Sequence, residues 1–346
     1  MKNPLLRRSR IPLLRISVSA YEIILSSQNH PIIEPHPKTG LKLAAIDLGT
    51  NTFHMLLVEV QADGSYLPIE RTRHFIKLAE DGIETIGKGP YDRGLAAMKD
   101  FRRLLDQHGA KQVRAIGTAA LRTASNGPAF VQTVREQTGI EVELIDGNEE
   151  ARLIYRGVSQ ALNYRAESDV IMDIGGGSVE FIFVNEDGVR WAQSFPVGVA
   201  VLRRLFHCNE PITDEEVDQL RSYLADQLAP VLRAAEKFQP QRLIGASGSF
   251  DVLEMVLRTE RVSPHHARID LEAFPQLVGR VQRATLEDRL RMENIPTDRA
   301  DMIVVAFLLV EFIIQKLDIR RVDVVSYAMK EGILREMIDD YVSQTA

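Results

Sequence analysis

With 346 residues, 45% hydrophobic and 26% charged, the chain has material for about two globular domains with sizeable cores. Its net charge of −6 excludes broad coating of a nucleic-acid polymer, and its single cysteine, Cys208, excludes internal disulfides and speaks against a thiolate metal site. No uncharged apolar run is long enough to span a membrane, since the greasiest stretch, 302–314, contains Glu311, and a reducing cytoplasm is the default compartment.

Residues 1–41 differ in texture from the rest. Arg7, Arg8, Arg10 and Arg15 punctuate a Leu/Ile-rich segment that carries five prolines between positions 4 and 37. Arg15 interrupts the apolar run and no small-residue cleavage site follows, so the segment reads as a flexible extension rather than a secretory signal. A basic arm or an organellar targeting peptide is the functional alternative.

Regular patterning begins at Leu43. Strands are predicted at 43–48, 53–60 and 66–78, with Asp63-Gly64 turning between the last two. Leu95, Met98, Phe101, Leu104 and Leu105 recur at helical spacing over 91–108. A short strand at 113–116 leads into Gly117-Thr-Ala-Ala-Leu-Arg122. A helix from about 125 to 139 and a strand at 141–145 come next, and Asp146-Gly147-Asn148 caps a helix running from Glu149 to about Asn163.

The first hairpin turn, Asp47-Leu-Gly-Thr-Asn-Thr52, offers a carboxylate, hydroxyls, an amide and a glycine-opened main chain. Gly49, Thr50, Asn51 and Thr52 could hold phosphate oxygens there, with Asp47 aimed at a metal ion. The pattern then returns. In Val170-Ile-Met-Asp-Ile-Gly-Gly-Gly-Ser178, Asp173 falls on Asp47, Gly175 on Gly49 and Ser178 on Thr52, so Gly175, Gly176, Gly177 and Ser178 form a second candidate phosphate turn. Strands to 184 and over 189–196 follow, and Thr213-x-x-Glu216 is a capping box opening a long helix to about Phe238, kinked at Pro230. After the strand Arg242–Ala246 comes Ser247-Gly248-Ser249 and another helix. A polar insertion over 260–298 has a helix near 270–282. A buried helix at 298–316, a strand at 322–326 and a helix from Lys330 to about Tyr341 close the chain. The second half thus repeats the first, and two phosphate turns should face each other across a cleft.

This duplication resembles the actin / sugar kinase / Hsp70 superfamily, which implies an α/β, duplicated actin-like (RNase H-like) ATPase fold. Its two domains, 42–165 and 166–346, would lie around a central cleft. Ala45-Ile-Asp-Leu-Gly-Thr-Asn-Thr-Phe-His54, Gly147-Asn-Glu-Glu-Ala-Arg152 and Asp173-Ile-Gly-Gly-Gly-Ser-Val-Glu180 are similar to motifs of the exopolyphosphatase / guanosine pentaphosphate phosphohydrolase (Ppx/GppA) family. Gly117–Asn126, Gly245-Ala-Ser-Gly248 and Arg299-Ala-Asp-Met-Ile303 support that likeness, which runs from about residue 42 to the C-terminus.

The resemblance implies Mg2+-dependent hydrolysis of a terminal phosphoanhydride in inorganic polyphosphate or guanosine pentaphosphate (pppGpp). Asp47, Asp173 and Glu150 would hold the metal, and Glu150 would orient the attacking water. Some members carry a further glutamate where this chain has Ala119, which leaves Glu150 as the main candidate. At the start of its helix Glu150 is expected to be readily ionised, hence a weak base that mainly positions.

Arg122, Arg299, Ser247 and Gly248 are further candidate substrate contacts. For Arg299 the rival is a salt bridge to Asp298 or Asp301; for Ser247, a helix cap. His54 and Trp191 read as structural, Cys208 as an apolar filler, and His265-His266 as a solvated loop. The 302–314 helix could serve as core or as a homodimer interface. An ATP-dependent kinase or ATPase, or a non-catalytic alarmone or polyphosphate sensor, are the alternatives. Acceptor-free phosphate release distinguishes a hydrolase from both.

Overall fold

Each half of the chain opens with apolar strands flanking a glycine turn, and this pattern builds the same sheet twice. The computed structural model describes residues 38–110 and 112–345. The first half contains β1 (Lys38–Leu48), β2 (Thr52–Gln61), β3 (Tyr66–Phe75), α1 (Lys88–His108), β4 (Gln112–Gly117), α2 (Ala119–Thr123), α3 (Gly127–Thr138), β5 (Val142–Leu144) and α4 (Gly147–Val158). Its sheet order is β3-β2-β1-β4-β5.

The second half contains β6 (Asp169–Ile174), β7 (Val179–Asn185), β8 (Gly188–Phe195), α5 (Val199–Phe206), α6 (Asp214–Gln227), α7 (Ala229–Phe238), β9 (Arg242–Ala246), α8 (Gly248–Leu257), β10 (Arg258–Ser263) and β11 (His266–Ile269). It ends with α9 (Phe274–Gln282), α10 (Leu286–Leu290), α11 (Ile303–Lys316), β12 (Arg321–Val325) and α12 (Met329–Thr345). The order β8-β7-β6-β9-β12 repeats the first sheet, and β11 and β10 extend its far edge antiparallel. This is the duplicated actin-like α/β architecture. Register repeats as well: Asp47 pairs across the hairpin with His54, and Asp173 pairs with Glu180. Both aspartates stand near the C-terminal ends of central strands, beside the parallel neighbours β4 and β9. In open α/β sheets that edge is where ligands bind.

Several expectations change. Residues 38–41 belong to β1, whereas the extension over 1–37 lies outside the described residues. Strand β3 stops at Phe75, because the next three amides turn away to bond the first phosphate turn. The long helix divides at Leu228 into α6, which has the capping box, and α7, with Pro230 in its first turn. Helix α5 was not anticipated, and the polar insertion supplies β10 and β11. His266 is therefore buried beside Asp323 at 3.0 Å, and His265 stacks on Tyr327 with a centroid distance of 4.1 Å. His266 thus belongs to β11 and not to a solvated loop, whereas His265 does sit in the turn before it. Cys208 is exposed, not a filler. Trp191 packs partly buried against Phe183, as a structural residue should. Ile303 to Phe312 of α11 are consumed by the second half's own core, which removes that helix as a dimer surface.

The halves meet through α4 and α12. A Cβ on Gly332 would lie 1.9 Å from the Leu153 carbonyl oxygen, and one on Gly157 would lie 1.8 Å from that of Ala328. Glycine at both positions lets the two helix backbones touch. Arg152 ties the same pair through Glu336 at 2.5 Å, and Arg114 of β4 reaches the same carboxylate at 2.7 Å. Gly332→Ala must push backbone against backbone, so it is expected to lower stability by about 2–3 kcal/mol. Chemical denaturation checks this, and a loss under 0.5 kcal/mol, the usual scatter of a surface change, would contradict it.

Candidate active site

The two glycine turns have one geometry. The Gly49 amide donates to the Thr52 carbonyl (3.1 Å), and the Gly175 amide donates to that of Ser178 (3.0 Å). Their other carbonyls are turned outward and satisfied. Ile76 and Lys77 donate to the Asn51 carbonyl and Leu78 to that of Thr50. Gly198, Val199 and Ala200 donate to the carbonyls of Gly177, Gly175 and Gly176. The amides of Thr50, Asn51, Gly176 and Gly177 make no hydrogen bond to another described residue, so each turn keeps donors for an anion. The turns also touch. A Cβ on Gly176 would sit 2.6 Å from the Asn51 side chain, and one on Gly177 would sit 2.7 Å from Thr50 Oγ1.

Beside this contact is a cleft of about 150 Å³, lined from both halves. Among the expected site residues, Asp47, Gly49, Asn51, Thr52, Glu150, Asp173, Gly175, Gly176, Ser247, Gly248 and Arg299 line it. Thr50 is buried against Gly177. Arg122, Gly177 and Ser178 instead line a neighbouring cavity of about 290 Å³. Arg122 donates to the Ile145 carbonyl (2.5 Å) and lies 3.9 Å from Glu150 Oε2.

Carboxylates dominate one end. Burial raises Asp47 to about 7, with Asp173 and Glu331 adding and Lys330 opposing. Burial likewise raises Asp173 to about 6 and Glu180 to about 7. Glu150 is 8% exposed, and its Oε2 is buried without a hydrogen bond. Its pKa is held well above the ordinary range by burial, then by Glu180 and Asp47, against Arg122. The expected ready ionisation is therefore wrong. The amides at the start of α4 are taken by the Asp146 carboxylate, which accepts from Asn148 and Glu149, and desolvation among like charges exceeds the helix dipole.

Glu180 is the group that sequence reasoning missed. It is 1% exposed, accepts from Ser194 Oγ (2.7 Å) and gives the cluster a second glutamate despite Ala119. The signal was present: residue i+7 from each turn aspartate pairs with it across its hairpin, which gives His54 in one half and Glu180 in the other.

Cations line the cleft as well. Lys330 of α12, also unassigned from sequence, lines the cleft. Burial would lower its pKa, but Glu331 and Asp47 outweigh this and hold the ammonium above its ordinary value. The Arg299 guanidinium lies over Gly248, where a Cβ would be 2.1 Å from Nη2, and stacks 5.7 Å from the Phe75 centroid. It forms no salt bridge with Asp298 or Asp301, which pair with Arg73 and Lys77. His54 falls to about 3 through burial and then Lys330, Arg299 and Arg73, so it faces the cleft uncharged. Ser247 does not cap α8; with φ +72° it turns its hydroxyl to the Ile174 carbonyl (3.1 Å). That backbone conformation, unusual for a side-chain-bearing residue, is stored at the cleft wall.

The donor set suits a hard divalent cation. Asp173, Glu150 and Glu180 are buried and Asp47 half-buried, burial first and then neighbouring carboxylates raise the pKa of all four, and Glu150 Oε2 is unpartnered. Among the described residues no three His, Cys, Asp or Glu side chains converge on one ligation point. Magnesium matches this, because it takes one or two carboxylates and fills its shell with phosphate oxygens and water.

The model of the Ppx/GppA phosphatase family matches residues 57–341. Exopolyphosphatase 1 of Mycobacterium tuberculosis is 28% identical over 312 residues, 88% of this chain and 91% of that protein. The Mycobacterium leprae protein of the same name is 27% identical, with 92% of its length covered. Among solved structures, an exopolyphosphatase from Cytophaga hutchinsonii superposes with a TM-score of 0.82 at 34% identity, covering 86% of this chain and 98% of that one. The Aquifex aeolicus Ppx/GppA family member shares the fold, with a TM-score of 0.71 at 20% identity over 88% of this chain and 99% of that one.

Proposed function

Because the chain belongs to the Ppx/GppA phosphatase family, we propose that it releases orthophosphate from the end of inorganic polyphosphate, by attack of a water that Glu150 orients and deprotonates. The observation that carries this reading is the convergence of two amide-lined turns on one carboxylate cluster that includes Glu150 Oε2. The turn amides would bind oxygens of the terminal phosphoryl group and fix it in line. Glu150 takes a proton from water, the water oxygen bonds to phosphorus, and the bridging P–O bond breaks. The shortened chain leaves as an anion toward Arg299. Glu180, hydrogen-bonded to Ser194, holds negative charge beside Glu150 and so favours its protonation as base.

One or two of the carboxylates Asp47, Asp173 and Glu150 would hold magnesium, which when bound would neutralise charge developing on the phosphoryl oxygens. Conversion of pppGpp is the second substrate reading.

The test is phosphate release from polyphosphate with magnesium and no acceptor, with EDTA and Asp173→Ala as controls. The expected result is release by the wild type, abolished by EDTA and reduced at least about 100-fold by the variant. Release only with ATP and an acceptor would favour a kinase instead.

A further inference from the structure

Arg299 reaches the cleft without a polar partner of its own. Among the described residues its guanidinium makes no hydrogen bond or salt bridge, and it rests on Gly248 and the Phe75 ring. Its aim is therefore set by the backbone that carries it, the turn over 298–302 before α11. Within that turn the Arg299 amide donates to the Pro296 carbonyl (2.9 Å), and the Arg299 carbonyl accepts from the amides of Met302 and Ile303 (both 3.0 Å).

The next two carbonyls are held by side chains. Arg289 Nε donates to the Ala300 carbonyl (2.8 Å), and Arg203 Nε donates to that of Asp301 (3.0 Å). Arg289 is fully buried and uses every edge of its fork: Nη1 donates to the Ala284 carbonyl (2.6 Å), and Nη2 to both oxygens of Glu210 (2.8 and 3.0 Å). Burying a guanidinium this completely is costly unless it is paired and its donors are met, and a lysine could not serve three directions from one plane.

The first half grips the same turn. Arg73 lies 3.8 Å from Asp298, Lys77 lies 2.6 Å from Asp301, and Asn51 Nδ2 meets Met302 Sδ at 3.1 Å. Asn51 belongs to the first phosphate turn, so the backbone that aims Arg299 is tied directly to amides that would hold the terminal phosphoryl group. We propose that Arg289 and Arg203 are positioning residues for phosphate release: by holding the carbonyls of Ala300 and Asp301 they fix the turn that aims Arg299 at the departing phosphate chain. The inference rests on the polyphosphate reading given above. Neither arginine lines the cleft, so each acts on the reaction only while Arg299 is there to be aimed.

The test is a double-mutant cycle on kcat/KM for polyphosphate with magnesium, with melting temperature recorded for every protein. It compares wild type, Arg203→Gln, Arg299→Gln and their combination, then repeats the cycle with Arg289→Lys. Arg299→Gln is expected to lower kcat/KM about 30-fold. Arg203→Gln should lower it about 5-fold alone and less than about 1.5-fold in the Arg299→Gln background. Arg289→Lys should lose about 10-fold alone and be equally silent in that background. Arg203 is partly exposed and holds the turn by one hydrogen bond, so its variant carries the test even where Arg289→Lys does not fold. The same fold-loss in both backgrounds, which a merely structural role gives, overturns the inference, as does wild-type kcat/KM in the Arg203 variant. Wild-type kcat/KM in Arg299→Gln overturns it through its premise and leaves hydrolysis standing. A wild type that releases no phosphate from polyphosphate overturns the reading on which it rests.

Discussion

Glu150→Gln is expected to lower kcat on polyphosphate about 10²–10⁴-fold while leaving the melting temperature equal to or above wild type. The two effects have one origin. Glu150 sits buried among Glu180, Asp47 and Asp173, with Arg122 as the opposing charge and no hydrogen bond to Oε2. An amide of the same shape removes a charge the folded state must desolvate, and it also removes the proton acceptor. A residue retained for stability would show the opposite pattern, a lower melting point with activity falling only as the protein unfolds. Glu180→Gln should lose less activity, because Glu180 acts through Glu150. Its pH–rate profile should shift toward lower pH, since a negative neighbour that favours Glu150 protonation is gone. An unshifted profile would deny the two glutamates any coupling.

The second large effect is Asp47→Asn on stability as pH rises. Asp47 ionises near 3.8 in the unfolded chain but near 7 when folded, because burial penalises its charge. Between those values the folded state binds the extra proton, so this group's stabilising contribution is complete below about pH 4 and is lost as pH rises through about 7. Replacing it should therefore stabilise the metal-free protein by roughly 3–4 kcal/mol at pH 8 and by progressively less toward pH 5.

The comparison must be made against wild type at each pH. His54, held down to about 3, contributes with opposite sign, since the unfolded chain gains a proton there as pH falls below about 6.5. Carboxylates depressed by partners, such as Glu149 beside Arg152 and Glu336 beside Arg152 and Arg114, lose their contribution only below the ordinary glutamate range. Magnesium should raise the wild-type melting temperature more at pH 8 than at pH 5, because the ion needs ionised carboxylates, and should barely move Asp47→Asn. An equal magnesium shift in both proteins would remove Asp47 from the metal site.

Much of this molecule is written locally. The apolar run to Leu48, its copy ending at Ile174, and the glycines after each aspartate specify two hairpins by patterns a few residues long, so the duplication and both turns are legible without coordinates. The Thr213/Glu216 box and the buried α11 are equally local, because capping and apolar periodicity act within a few turns of chain. The far side of each decision was not local. Helix α5 and the β10–β11 hairpin exist because they bond or pair with distant elements, the Gly175–Gly177 carbonyls and the edge of β12.

The site divides along the same line. Sequence placed Asp47, Asp173 and Glu150 on the right elements, since each sits in a motif with its own local geometry, whereas Arg299, expected at a helix start, lies in the turn before α11. It misjudged the state of Glu150, because ionisation depends on which charges lie across the cleft, and the helix start is only one contribution among several. It passed over Lys330 and Glu180, whose weight comes from burial against the other half. By itself the sequence determined a duplicated fold with two anion-holding turns. Only the tertiary structure decided that those turns touch and that four carboxylates share one cleft with Lys330 and Arg299. The physical reason is that electrostatics in a cleft are set by distances between segments a hundred or more residues apart, and no local pattern encodes them.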